Sequence, residues 1–64
     1  MNQKKLKKLR IERYLTQDQV YVKSRRRIQP SRLSKLERGI LLLTDRDRKI
    51  LARIYGVSEK DFFA

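Results

Sequence analysis

Sixty-four residues without cysteine or histidine carry 18 Lys+Arg against 7 Asp+Glu, a formal net charge of +11. That length suits one small domain over residues 1–64, which buries only about 60% of its unfolded surface and has no interior for a deep substrate cavity. Without Cys or His there is no Ser-His-Asp triad, cysteine nucleophile, zinc site or ordinary haem ligand, and the carboxylates do not cluster into a metal site. The sequence therefore predicts a non-enzyme with no cofactor, no metal and no small-molecule ligand. The longest apolar run, Ile40–Leu43, is too short for a membrane span or a signal segment, so no membrane partner and a cytoplasmic location are expected. So basic a chain seeks a polyanion, nucleic acid first and an anionic membrane surface second.

The charge is uneven. Residues 1–13 hold six Lys/Arg and one Glu, and residues 23–38 hold seven Lys/Arg and one Glu. Residues 44–55 add a net +2, whereas Asp18 and the segment 56–64 contribute −1 each. Two separate basic runs are more than one solvated face requires.

In chain order, Leu6, Leu9 and Arg13 share one helical face, and a first helix is predicted over residues 3–13. Thr16-Gln17-Asp18-Gln19 has capping-box spacing and opens a second helix to Ser24, with Val20 inward. Arg25, Arg26 and Arg27 form a turn or helix end. Pro30 starts a third helix, residues 30–38, with Leu33 and Leu36 inward and Gly39 as its left-handed cap. Thr44 opens a fourth helix, with Asp45 and Asp47 at its positive end. Leu51, Ile54 and Tyr55 form its stripe, and Gly56 stops it. Ser58 and Asp61 repeat the capping logic for a short last helix through Phe62 and Phe63. No segment alternates as a strand, so the fold class expected is all-α, with five helices.

The stretch 16–39 reads as a helix-turn-helix. With Leu33 and Leu36 turned to the core, Ser31, Ser34, Lys35 and Arg38 fall on the opposite, solvated face. Hydroxyls and cations stand there without a carboxylate, a composition that suits DNA. The one acid on this helix, Glu37, lies toward the flank of the core.

Leu6-x-x-Leu9-Arg10, Leu15-Thr16-Gln17, the run Pro30-Ser31-Arg32-Leu33-Ser34-Lys35-Leu36-Glu37-Arg38-Gly39, Gly56-Val57-Ser58 and Phe62 together resemble the Cro and phage-repressor (Xre) helix-turn-helix proteins. The likeness spans roughly residues 4 to 63. It implies a five-helix, lambda-repressor-like DNA-binding domain whose third helix enters the major groove of double-stranded DNA. By the same resemblance Gln17 grips a phosphate. Gln29, Ser31, Ser34 and Lys35 reach base edges, with Lys35 suited to a guanine. Arg32 reaches base or backbone. From the charge distribution, not the resemblance, Arg27 and Arg38 are expected to hold the backbone. Arg10 and Glu37 match a pair that bridges the first and third helices.

The sequence departs from that pattern in four places. The span 16–39 is about two residues longer than is usual, with Arg25–Arg27 in place of a small glycine-containing turn. Tyr21 replaces a small residue between the helices, and Gln29 replaces a Ser/Thr cap. Ile40–Leu43 stands in place of basic residues. The arginine-rich turn is expected to make phosphate contacts of its own. Of the apolar run, Leu41 or Leu43 must cover the core; exposed members, with Ile50, Val57 or Phe63, form a candidate self-association patch. The reading is a sequence-specific transcriptional regulator of bacterial or phage origin. It acts as a repressor that blocks a promoter, with a palindromic operator and a homodimer as expected partners. The alternatives are a nucleic-acid binder that reads no sequence and an antitoxin-like or adaptor interaction module.

Overall fold

The computed structural model describes Gln3 and residues 5 to 62. Four α-helices follow one another: α1 (Lys5–Glu12), α2 (Gln17–Lys23), α3 (Pro30–Glu37) and α4 (Asp45–Tyr55). The fifth predicted helix is a 3₁₀ turn over Glu59–Phe62, and among the described residues no strand occurs. Ser58 N–H donates to the Asp61 carboxylate, but the segment is only one tight turn long, too short for an α-helix. Phe63, expected within this element, lies outside the described residues.

The helix starts are local and follow the sequence. Thr16 Oγ1 accepts from Gln19 N–H at 3.1 Å while Gln19 Oε1 accepts from Thr16 N–H at 2.8 Å, the reciprocal capping box. Thr44 Oγ1 accepts from Asp47 N–H at 3.1 Å and caps α4. Gly56 ends α4 in the left-handed region at φ 68°, where a glycine costs least. Helix α1 is shorter than predicted. Gln3 precedes it, and its buried amide donates to the carbonyls of Leu36 (2.8 Å) and Leu41 (2.9 Å). At the other end Tyr14 turns the chain at φ 56°.

Leu6, Val20, Ile28, Leu33, Leu36, Leu51 and Phe62 are fully buried in one core, with α1 and α2 each packed on α3. Ile28 anchors the turn before α3. The Ile40–Leu43 run alternates. Leu43 is buried and Leu41 half-buried on the core, whereas Ile40 and Leu42 face outward. Ile50 and Val57 pack on the core. The candidate patch is thereby reduced to Ile40 and Leu42 among the described residues.

Arg13 closes the bundle at the end of α4. Its Nε donates to the Tyr55 carbonyl, its Nη1 donates to the Leu9 carbonyl at 2.9 Å, and its guanidinium lies 6.0 Å from the Tyr55 ring centre. The Tyr55 ring meets Phe62 edge-on, with centres 6.4 Å apart. The Tyr55 hydroxyl is buried with no hydrogen-bond partner among the described residues. Burial first, and the nearby Glu37 charge second, push its pKa up. An unfolded tyrosine ionises near pH 10. The folded phenol holds its proton to higher pH, so stability present below about pH 10 is lost as the pH rises past it. Tyr55→Phe is expected to match or exceed the parent by about 1 kcal/mol at neutral pH, because an unsatisfied hydroxyl is removed. It should also weaken the alkaline loss. Thermal melts at neutral pH and above pH 10 check both parts.

Candidate nucleic-acid interface

Helix α3 is held at its inner side by Leu33 and Leu36, both fully buried, so the 3.6-residue period fixes what lies outside. Ser31, Lys35 and Arg38 are exposed and Ser34 is half-buried. Gln29, the residue before Pro30, is extended (φ −62°, ψ 147°), and its side chain makes no capping hydrogen bond. It is exposed beside the start of α3. The first turn of α3 carries no acid, and among the described residues neither Lys35 nor Arg38 has a carboxylate within 4.0 Å. The outward face is therefore hydroxyl and cation, as the periodicity predicts.

Glu37 is turned away from that face. Its carboxylate accepts from Arg10 Nε at 2.7 Å and Nη2 at 3.2 Å, and from Gln17 Nε2 at 3.2 Å. The Arg10–Glu37 bridge between α1 and α3 is thus present, and Arg10 also donates to the Leu15 carbonyl at 2.9 Å. The hydrogen bond to Glu37 raises the Arg10 pKa, against a smaller lowering by burial. Gln17, the expected phosphate ligand, is half-buried and joins this network through its amide nitrogen. It lines a groove with Lys7, Ser34 and Arg38, at the junction of α1, α2 and α3. Asp18 and Glu37 line the same groove.

Two residues from the expected set stand elsewhere. Arg32 is committed to Asp47, donating from Nη2 at 2.6 Å and Nε at 3.1 Å. It ties α3 to the first turn of α4 and is not a free cation on the outer face. Arg27 is exposed but does not join the groove of Gln17, Ser34 and Arg38. It lines a second cleft, against α4, and its carbonyl accepts from Arg46 Nη2 at 3.3 Å. Besides Arg10, which is paired with Glu37, Lys7 is the groove cation absent from the expected set. Its exposure on α1 is readable from the sequence, but its approach to α3 depends on the packing of two helices.

The long turn between α2 and α3 has a defined geometry. Ser24, buried, donates to the Tyr21 carbonyl at 2.8 Å and accepts from Ile28 N–H at 3.1 Å. Arg25 and Arg26 are both left-handed, at φ 59° and 62°, and Arg26 N–H closes the turn on the Tyr21 carbonyl at 2.9 Å. The extra residues are taken up here, and Tyr21, half-buried, does not keep α2 from packing on α3.

A short capped helix, an ordered turn and a second helix with a basic outer face, set in an all-α bundle, define a DNA-binding helix-turn-helix protein. A family model described as helix-turn-helix matches residues 6–62. The chain belongs to that family, of the Xre and Cro type. No curated protein and no solved structure was found to match it. Among the described residues no helix is long and apolar enough to cross a membrane.

Proposed function

We propose that residues 1–64 act as one sequence-specific, double-stranded-DNA-binding domain, a cytoplasmic transcriptional regulator of bacterial or phage origin. Helix α3 enters the major groove. Gln29, Ser31, Ser34 and Lys35 reach base edges, while Gln17, Arg27 and Arg38 hold phosphates. The observation that carries this reading is the outer face of α3, on which hydroxyls and cations project while the helix's one carboxylate, Glu37, is buried against Arg10. Gln17 can serve a phosphate with the amide hydrogen it does not give to Glu37. Two copies on a palindromic operator place their recognition helices about 34 Å apart. Occupying a promoter, and so repressing it, is the simplest mechanism for a domain of this size.

Selection of bound duplexes from a random library tests the reading. The expected outcome is an enriched motif, bound at least about 10³-fold more tightly than random duplex. A pool with no motif would leave a binder that reads no sequence. Lys35→Ala should lose about 1–3 kcal/mol of discrimination at a single base position. Lys7→Ala should weaken all duplexes alike and lower the salt slope by about 1.

A further inference from the structure

A second cleft, of which the proposed function uses only Arg27, gathers more cations than the Gln17 groove. Lys23, Arg25 and Arg27 line it from the end of α2 and the turn, and Arg46, Lys49 and Arg53 line it from α4. Among the described residues no carboxylate lines it, in contrast to the Gln17 groove. Its floor is apolar, formed by half-buried Ile50 and Ile54. Among the described residues only Arg46 of the six cations has a carboxylate within 4.0 Å, Asp47 Oδ1 at 3.8 Å. Lys49 and Arg53 stand one helical turn apart (i, i+4), so their charges project side by side. Six cations brought together, five of them without a counter-charge within 4.0 Å among the described residues, repel one another, a cost the fold carries and a polyanion relieves.

The turn supplies a second, independent observation. Arg25 and Arg26 occupy consecutive left-handed positions, at φ 59° and 62°. A non-glycine side chain is disfavoured at each, whereas glycine adopts either freely. Arginine stands where glycine fits the backbone better, and Arg25 lines the cleft. Strain kept at a residue that also lines the cleft supports a role for its side chain there.

We infer that this cleft between the α2–α3 turn and α4 is a second binding surface for the phosphate backbone of duplex DNA, separate from the reading face of α3. The inference rests on DNA being the ligand of this chain, but not on α3 reading its sequence. The cations take phosphodiesters through their charge and carry no base information. An acidic protein segment is the competing occupant. Duplex DNA is favoured because the cleft begins at Arg27, two residues before Gln29 at the start of α3, so that one ligand can span both.

The test measures affinity for a random-sequence duplex against salt concentration, with the full chain and two cleft variants, Arg25→Gly and Lys49→Gln/Arg53→Gln. Lys5→Gln/Lys8→Gln on α1 serves as the control of equal charge change. Each lost phosphate contact lowers the slope of log K against log salt by about 0.9, so the Lys49/Arg53 pair should lower it by nearly 2. The control pair should lower it by less than half as much. The turn variant should bind DNA more weakly while its melting temperature holds or rises, because glycine relieves the left-handed position of residue 25. Equal slopes for the cleft and control pairs would overturn the inference, leaving net charge alone. So would unchanged slopes in both cleft variants, the outcome expected if an acidic protein segment is the true occupant. Because the probe is a random duplex, this result is independent of whether the library selection yields a motif.

Discussion

Replacing Glu37 by alanine is expected to leave the fold only marginally stable at 37 °C. Its carboxylate is 4% exposed and receives three hydrogen bonds, two from Arg10 and one from Gln17. Removing it leaves the Arg10 guanidinium, itself only 12% exposed, without its partner. Breaking a buried pair in this way costs about 3–5 kcal/mol. A domain this small has total stability near the low end of about 5–15 kcal/mol, so little remains. Glu37→Gln keeps an acceptor for Arg10 and should lose less. The pH dependence carries a sign of its own. Arg10 has its pKa raised, so its contribution is complete at neutral pH and on the alkaline side is lost only in strong alkali. Urea titrations at neutral pH should show the full deficit of Glu37→Ala, with little change on raising salt, because a buried pair is poorly screened. If Glu37→Ala melted within a few degrees of the parent, the bridge would not hold α1 to α3.

What could be read from the chain, and what could not, divides by range. Thr16 with Gln19, Thr44, Gly39 and Gly56 act within four residues of themselves, and each does in the structure what its spacing predicts. The inward positions of α3 follow from period alone. The Arg10–Glu37 bridge was legible only through the family resemblance, because 27 residues separate the two. Gln3 illustrates the opposite case. Nothing local tells that its amide leaves α1 to serve carbonyls 33 and 38 residues away. The last helix was over-read because a capping pair predicts a start and says nothing of length. The α4 half of the basic cleft was hidden by arithmetic. Residues 44–55 sum to a modest +2 because Asp45 and Asp47 cancel two cations. In the structure Asp45 is taken up by Arg48 and Asp47 by Arg32, so Lys49 and Arg53 keep their charge undiminished on the cleft. Net charge averages over directions, whereas a ligand meets only one face.

Arg32→Ala is expected to reduce stability more than it alters DNA reading, which assigns this arginine a role different from its neighbours on α3. Asp47 is fully buried, and Arg32 provides both hydrogen bonds to its Oδ2. The other oxygen, Oδ1, has no hydrogen-bond partner among the described residues, and Arg46 Nε lies 3.8 Å away. Without Arg32 the carboxylate stays buried and poorly compensated. Because Arg32 is 36% exposed, the loss should fall below the full buried-pair value, at about 2–4 kcal/mol. For a domain of this size that lowers the melting temperature by roughly 8 °C or more. Removing Asp47 as well takes away the stranded charge. Arg32→Ala/Asp47→Ala should therefore lose clearly less than the sum of the two single variants, and a double-mutant cycle measures that coupling. The double variant should select the same DNA motif as the parent, with uniformly weaker binding. A relaxed preference at one base position, with an unchanged melting temperature in Arg32→Ala, would instead make Arg32 a reader. The expected outcome places Arg32 as a strut between α3 and α4, fixing the angle between the helix that reads and the helix that lines the cleft.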